Sequence, residues 1–132
     1  MASLDDVSRL AARLPGAVEG ERSGHRPGVG WSVAGAFFAW VRPLSKADVK
    51  RFGDAPVPQG PILACAVEDL ADKEAVLAAG RPGLFSIPHF DGYPVVLVSL
   101  DAVGEDDLRD ALTDAWLTVA PEEQARAYLA GG

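Results

Sequence analysis

The residues with the clearest chemical capacity in this chain are basic side chains clustered between positions 22 and 51. This segment holds six cations and the single carboxylate of Asp48, a net charge of +5, whereas the whole chain of 132 residues carries −7. Clustered cations attract phosphates and carboxylates. We therefore predict an anion-binding surface. The residues expected to form it, including the histidine of the same segment, are Arg22, His25, Arg26, Arg42, Lys46, Lys50 and Arg51.

The spacing of these cations determines whether they can act together. Lys46 and Lys50 stand four positions apart, which puts both on one face of a helix. The glycine-rich stretch of residues 17–30 carries further positive charge, and it must fold beside that helix for a shared surface to form. The alternative is an ordinary solvated face that balances acids elsewhere. Those acids are plentiful, since residues 101–123 carry eight carboxylates against Arg109.

No arrangement typical of catalysis is found in the sequence. Ser23 and His25 place a hydroxyl near an imidazole, but there is no G-x-S-x-G turn to expose a nucleophile. The run Gly28-Val29-Gly30 lacks the third glycine of a dinucleotide-binding loop. The acids at 105–107 open a helix, where the helix dipole accounts for them. We predict a protein that is not an enzyme and has no cofactor.

Cysteine and histidine usage gives little support to a metal site. Cys65 is the single cysteine, so it cannot form a disulfide within the chain, and its apolar surroundings at 62–67 predict a buried side chain. His25 and His89 are the two histidines and stand far apart in sequence, so no zinc site is expected. For His89, in the turn-like sequence PHFD, we expect a structural role.

Four aromatic residues lie within or beside the basic segment. Trp31, Phe37, Phe38 and Trp40 could form a platform on which bases stack, because aromatics next to basic residues are typical of proteins that bind single strands. The alternative is core packing, which we favour for most of them because a sheet must be covered by helices on at least one face. Trp31 or Phe37, near the ends of the predicted hairpin, is the one expected to be exposed.

The composition predicts one globular domain spanning residues 1–132. Hydrophobic residues make up 48% and charged residues 23% of this 13.8 kDa chain, which are ordinary values for a folded soluble protein. No apolar run approaches the roughly 18 residues of a transmembrane helix, and the first residues lack the apolar stretch of a signal peptide. We therefore expect a cytoplasmic protein without a membrane partner.

Capping side chains and apolar periodicity predict the helices. A stripe of apolar residues predicts a long helix from about Glu105 to Val119. The residues expected to start the shorter helices are Ser3 with Asp6, Ser45 with Asp48, Asp69, and Pro121. We expect Leu70, Ala71, Val76 and Leu77 to contact the core in the helix after Asp69, and Tyr128 and Leu129 to do so in the last helix.

The strands are predicted from β-branched and aromatic runs. A hairpin is expected at Trp31–Val41 around Ala34-Gly35, and buried strands at 62–67 and 95–100. Residues 17–30 are a loop or an irregular edge strand, and 84–93 hold a short extended piece and a turn. The order is α-β-β-α-β-α-β-α-α, which predicts a single α+β domain with an antiparallel or mixed sheet.

Several motifs follow one another from about Leu4 to Leu129: LPGAVEGERSGH, FFAWVRPLSKADVKRFG, IPHFDGYPVVLVSLD and LTDAWLTVAPEEQARAYL. In this order they resemble the MmcQ/YjbR family. The resemblance implies a compact α+β fold with a double-wing arrangement of hairpins around a helix, and it implies DNA binding. The chain departs from the family where Glu122 and Glu123 replace frequent basic residues, and where Arg26-Pro27-Gly28 replaces an aromatic strand start.

Two functions remain open from the sequence. The first is a DNA-binding domain that uses the basic residues of 22–51. The second is a protein-interaction or small-anion-binding domain without a nucleic-acid role, in which a cleft near Arg22, His25, Arg42 and Lys46 holds a carboxylate or phosphate. They differ in what neutralises the basic surface.

Overall fold

Six strands and five α-helices form the part of the chain described by a computed structural model, residues 2–22 and 28–131. The strands are β1 (Ala17–Arg22), β2 (Gly28–Val33), β3 (Ala36–Val41), β4 (Ile62–Ala66), β5 (Leu84–Phe85) and β6 (Val95–Ser99). The helices are α1 (Leu4–Ala11), α2 (Lys46–Arg51), α3 (Leu70–Ala78), α4 (Glu105–Val119) and α5 (Glu122–Leu129), with a 3₁₀ helix at Pro88–Phe90. The predicted site residues His25 and Arg26 lie outside the described residues.

All six strands form one antiparallel sheet in the order β1-β2-β3-β4-β6-β5, which confirms the predicted single α+β domain. The sheet holds two strands more than the predicted order. The first is β1, an edge strand whose residues 18–21 are all exposed, so it lacks the alternation that a buried face imposes. The second is β5, which at two residues is too short to produce a pattern.

Three of the predicted helix starts are confirmed in atomic detail. In α1 the Asp6 amide donates to Ser3 Oγ at 3.3 Å, and the Ser3 amide donates to Asp6 Oδ2 at 2.9 Å. The Asp72 amide donates to Asp69 Oδ1 at 2.7 Å at the start of α3. The same reciprocal bonding starts α2 at Ser45. Among the helices of the described residues, none has the length and apolarity needed to cross a bilayer.

The larger core lies on one face of the sheet, called here the first face, under α1 and α4. Leu108, Leu112 and Trp116 of α4 are fully buried there, as the helical stripe predicts. Trp31 is only 2% exposed, so of the two aromatics of which one was expected to be exposed, Trp31 or Phe37, only Phe37 keeps part of its surface accessible. The ring of Trp31 packs in this core, and its indole N–H donates to Glu19 Oε1 at 3.0 Å. Glu19 therefore lies on the first face too.

The burial of side chains in α3 and α5 corrects three of the expected core contacts. In α3 the side chains of Leu70 and Ala71 point away from the core, and the buried residue of this helix is Lys73. Its ammonium donates to the carbonyls of Phe90 at 2.6 Å and Tyr93 at 2.9 Å, which satisfies the charge that burial would otherwise leave unpaired. In α5, Leu129 is 70% exposed.

A smaller core lies on the opposite, second face, under α2 and the 3₁₀ helix. Its buried residues are Ile62, Ala64, Ile87, Phe90 and Leu97. Trp40 of β3 packs against it together with Leu44 and Phe52, which flank α2. This core covers the β4–β6–β5 half of the second face, so the α2 helix sits beside the β1–β2–β3 half.

Candidate functional site

Arg42 does not belong to the predicted anion-binding surface, because its side chain is buried. It is 5% exposed, and its Nη2 lies 3.1 Å from Oδ2 of Asp48, which is itself 1% exposed. A second guanidinium nitrogen donates to the carbonyl of Pro43. The charge of Arg42 is therefore neutralised inside the protein, where it anchors the start of α2. The sequence interpretation of Arg42 as an external contact is corrected on this ground.

Asp48 is the carboxylate that makes this arrangement possible. Burial acts to raise its pKa, but the hydrogen bonds from Ser45 and the charge and hydrogen bond of Arg42 outweigh burial, so the pKa lies below the ordinary value of 3.8. Asp48 also lies 4.0 Å from Nη1 of Arg51, whose side chain is 53% exposed. Since Arg42 already uses this carboxylate at closer range, Arg51 keeps most of its charge available to solvent.

Three exposed cations remain on α2: Lys46, Lys50 and Arg51, called here the α2 cations. Lys46 and Lys50 are exposed, and within residues 2–22 and 28–131 neither forms an ion pair with a carboxylate. The capping box at Ser45 holds the helix that carries them. The α2 cations therefore present a concentrated positive charge on a rigid element.

Arg22, at the end of β1, stacks on two aromatic rings. Its guanidinium carbon lies 4.4 Å from the ring centroid of Trp40 and 5.5 Å from that of Phe37. This is cation–π geometry, which holds a guanidinium flat against a ring while keeping its charge. We call Arg22, Phe37 and Trp40 the Arg22 platform. All three side chains are half-buried.

A glycine in the neighbouring strand makes the Arg22 platform possible. A Cβ at Gly30 would lie 2.8 Å from the Phe37 ring and 2.9 Å from Cγ of Arg22, closer than carbon atoms can approach. Without a side chain at this position, the ring and the arginine stem lie directly on the backbone of β2. Gly30 pairs with Trp40 across the β2–β3 ladder, which brings the third member beside them.

The Arg22 platform and the α2 cations share the second face of the sheet. Alternation along β1 puts Arg22 on the face opposite Glu19. Trp40 carries the stacked guanidinium and also packs in the small core with Leu44 and Phe52, the residues on either side of α2. Arg22 and the helix that carries Lys46, Lys50 and Arg51 therefore lie on the same face of the sheet, whereas Arg42 is buried in the interior.

The acids of α4 lie on the other side of the sheet from the α2 cations. Helix α4 packs on the first face, and its exposed acids are concentrated toward its N-terminal half and toward α3. Burial raises the pKa of Asp114 in this region, with added repulsion from Asp110 and Asp72 and partial relief from Arg81. The two faces of the sheet therefore differ in charge, positive at α2 and negative at α4.

Cys65 is buried, as its apolar surroundings predict, whereas His89 lies at the surface. Cys65 is 1% exposed, and burial raises the pKa of its thiol to about 12, which keeps it protonated and unreactive at neutral pH. His89 is exposed in the 3₁₀ helix with its ring edge-on to Phe90 at 4.9 Å. Among the described residues, no group of three or more His, Cys, Asp or Glu side chains could hold a metal ion.

The stacking of Arg22 on Phe37 and Trp40 is the feature that sequence reasoning missed. The aromatics and the arginine are each conspicuous, but their contact depends on the register of three strands. The register is shifted by an irregularity between Trp31 and Ser32, which moves Phe37 to the second face beside Trp40. The signal in the sequence is Gly30, which stands next to Trp31 in β2 and opposite Trp40 of β3, and it becomes readable once β1 is recognised as a strand.

Comparison with known proteins identifies close relatives. No protein-family model matches the chain. The uncharacterized protein Mb2600 of Mycobacterium bovis is 41% identical over 134 aligned positions, which cover 98% of each chain. The uncharacterized proteins MT2646 and Rv2570, from two strains of Mycobacterium tuberculosis, match with the same identity and coverage. The names of these relatives state no activity.

Proposed function

The chain belongs to one protein family with the mycobacterial proteins Mb2600, MT2646 and Rv2570, and we propose that this member is a non-enzymatic domain that binds DNA through the second face of its sheet. The α2 cations and Arg22 contact the phosphates. The resemblance of the sequence to the MmcQ/YjbR family supports the same proposal. We add His25 and Arg26 to the proposed DNA-binding surface on the basis of the sequence alone.

The observation that carries the proposal is the gathering of exposed cations on one face of an acidic protein. Arg22, Lys46, Lys50 and Arg51 lie on the second face, while the acids of α4 lie on the first face. Phosphate contacts supply most of the free energy of non-specific DNA binding. A protein with a net charge of −7 is repelled by a polyanion overall, so it can bind one only through a positively charged face.

The second alternative, a cleft that holds a small anion, has less support from the geometry. It requires Arg42 beside Arg22 and Lys46, but the guanidinium of Arg42 is bound to Asp48 and to the carbonyl of Pro43. The remaining cations are distributed along a helix and a strand end, which fits a chain of phosphates better than one carboxylate. A protein partner remains the competing occupant in the test below.

The proposal is tested with fluorescently labelled DNA, single-stranded and duplex, by anisotropy at about 50 mM salt and upwards. We expect binding at low salt, with log K falling against log salt at a slope of roughly −3, as expected for about four phosphate contacts. The triple variant Lys46→Glu, Lys50→Glu, Arg51→Glu should abolish binding.

A matched control reverses the same number of charges at the first face, in α4, in α5 and in the turn after α1. The triple variant Arg13→Glu, Arg109→Glu, Arg126→Glu changes the net charge equally, and all three residues are exposed. It should retain most of the affinity. Absence of binding to every DNA at low salt, or equal losses in the two triple variants, would overturn the proposal.

A further inference from the structure

We propose that the Arg22 platform stacks an unpaired base, so that the DNA bound at this face is single-stranded. The inference rests on the proposed function and deepens it, since it names the form of nucleic acid that the face selects. It is carried by the partly accessible π surfaces of the platform, by the open sheet beside them and by the shape of α2.

The aromatic rings of the Arg22 platform are not completely buried in the core. Trp31 and Phe38, from the same two strands, are 2% and 0% exposed, whereas Phe37 and Trp40 remain half-buried. The guanidinium of Arg22 adds a third flat surface. Any base can stack in parallel on such a surface. Three adjacent planar groups at a surface are a stacking platform, and stacking tolerates all four bases because each has a π face.

There is open space next to the platform for a planar ligand. Alternation along β1 places Val18 and Gly20 on the same face as Arg22. Val18 is 60% exposed, and apart from Gly20 and its two chain neighbours no described atom lies within 4 Å of the Cβ position at Gly20. The small core under α2 covers the other half of this face only. A base can therefore lie over β1 and β2 against the exposed side of the platform.

The form of the cationic element disfavours a duplex. Helix α2 has six residues, less than two turns, and its exposed cations can reach phosphates but cannot place a row of side chains along a major groove. In a duplex the base faces are stacked on one another, so the Arg22 platform would have no ligand. A single strand offers both its phosphates to α2 and its bases to the platform.

The test separates base contacts from phosphate contacts. Three labelled probes of equal length are titrated: oligothymidylate, an oligomer of abasic nucleotides with the same phosphates, and a hairpin duplex. We expect oligothymidylate to bind about tenfold more tightly than either of the others. Because Trp31 and Trp116 are buried, we also expect oligothymidylate to quench the emission of Trp40, and the Trp40→Phe variant to lose that quenching.

The variant Arg22→Lys keeps the positive charge and removes the planar group. It should lower the affinity for oligothymidylate several-fold and leave the affinity for the abasic oligomer unchanged. Tyr93→Ala, which removes an aromatic ring that is 60% exposed and stands outside the platform, is the control and should change neither affinity. Circular dichroism confirms that each variant is folded.

The outcomes distinguish this inference from the proposed function. Equal affinity for oligothymidylate and the abasic oligomer, or tighter binding of the duplex, overturns the stacking inference while DNA binding itself stands. No binding of any probe at low salt overturns both. Binding of a protein partner that survives Arg22→Lys, with no DNA bound, likewise assigns the face to a different ligand and overturns both.

Discussion

The pair of Arg42 and Asp48 shows that charge in a basic segment can serve the fold instead of a ligand. Both side chains are almost completely buried, and the carboxylate also caps α2 through the Ser45 amide at 2.9 Å. Removing one partner of a buried ion pair leaves the other uncompensated in a low-dielectric interior. The pair therefore positions the α2 cations without contacting what they bind.

We expect Asp48→Asn to lower the free energy of unfolding by about 3 kcal/mol, because the Arg42 charge is left without a partner. Chemical denaturation with urea measures the loss. Asp54→Asn, which changes an exposed acid after the same helix, is the control and should leave stability within about 0.5 kcal/mol. A loss for Asp48→Asn no greater than that of the control would contradict the role of the pair.

The same residue predicts a pH dependence. The folded-state pKa of Asp48 is lowered, so its contribution to stability is complete above the ordinary value of 3.8 and is lost as the pH falls through the lower folded-state pKa. The stability difference between the wild-type protein and Asp48→Asn should therefore shrink on acidification below about pH 4. Urea midpoints at several pH values measure it, and a constant difference down to pH 2 would refute this origin.

At the scale of elements, the β2–β3 hairpin carries an avoidable strain. Both residues of its two-residue turn have positive φ, 51° at Ala34 and 85° at Gly35. This is the type I′ geometry that matches the twist of the strands, and it suits asparagine-glycine better than alanine-glycine. The hairpin forms in spite of Ala34, because the aromatic strands on either side of it bury Trp31 and Phe38.

Ala34→Asn should stabilise the protein by about 0.5–1 kcal/mol, because asparagine tolerates the left-handed region at less cost than alanine. The side chain of Ala34 is exposed, so no packing is lost. The midpoint of urea unfolding measures the gain. Ala36→Asn, two residues later and also exposed, lies in the extended backbone of β3 and should give no gain. Equal effects of the two variants would argue against relief of strain at the turn.

At the scale of the whole molecule, the charges separate across the sheet. The α2 cations and Arg22 are on the second face, and the acids of α4 approach those of α3 on the first face. Such a separation orients the protein toward a polyanion from a distance, and it also leaves the acidic side repelling itself. At Asp114, burial raises the pKa and repulsion from Asp110 and Asp72 adds to the shift.

The raised folded-state pKa of Asp114 means that ionisation of this carboxyl destabilises the native protein. The free energy of unfolding therefore rises when Asp114 is protonated. Asp114→Asn should therefore raise the melting temperature at pH 7 slightly, by up to about 2 °C. The advantage should disappear near pH 3, where the carboxyl is protonated in both states.

Asp106→Asn is the control: Asp106 lies in the first turn of α4 and pairs with Arg109 at 3.0 Å, so its neutralisation should not stabilise. A stabilisation by Asp114→Asn that is independent of pH would exclude charge repulsion as its cause.

Local signals in the sequence were sufficient for most of the elements. The capping pairs at Ser3 and Ser45, the turn at Ala34-Gly35 and the apolar stripe of α4 act within a few residues of themselves, so each can be read without the fold. The edge strand β1 and the two-residue β5 carry no such signal, because they are held mainly by hydrogen bonds to neighbouring strands. The outward side chains of Leu70 and Leu129 likewise depend on what lies opposite them.

What the sequence by itself determined is the α+β class, the chain positions of most helices and strands, and the presence of a cationic segment in an acidic protein. Only the tertiary structure decided which cations are available, since Arg42 is neutralised by Asp48 while Arg22 lies over the rings of Phe37 and Trp40. The physical reason is one of range. Capping and periodicity act between near neighbours along the chain, whereas burial, ion pairing and stacking depend on strand register and on which face of the sheet each helix covers.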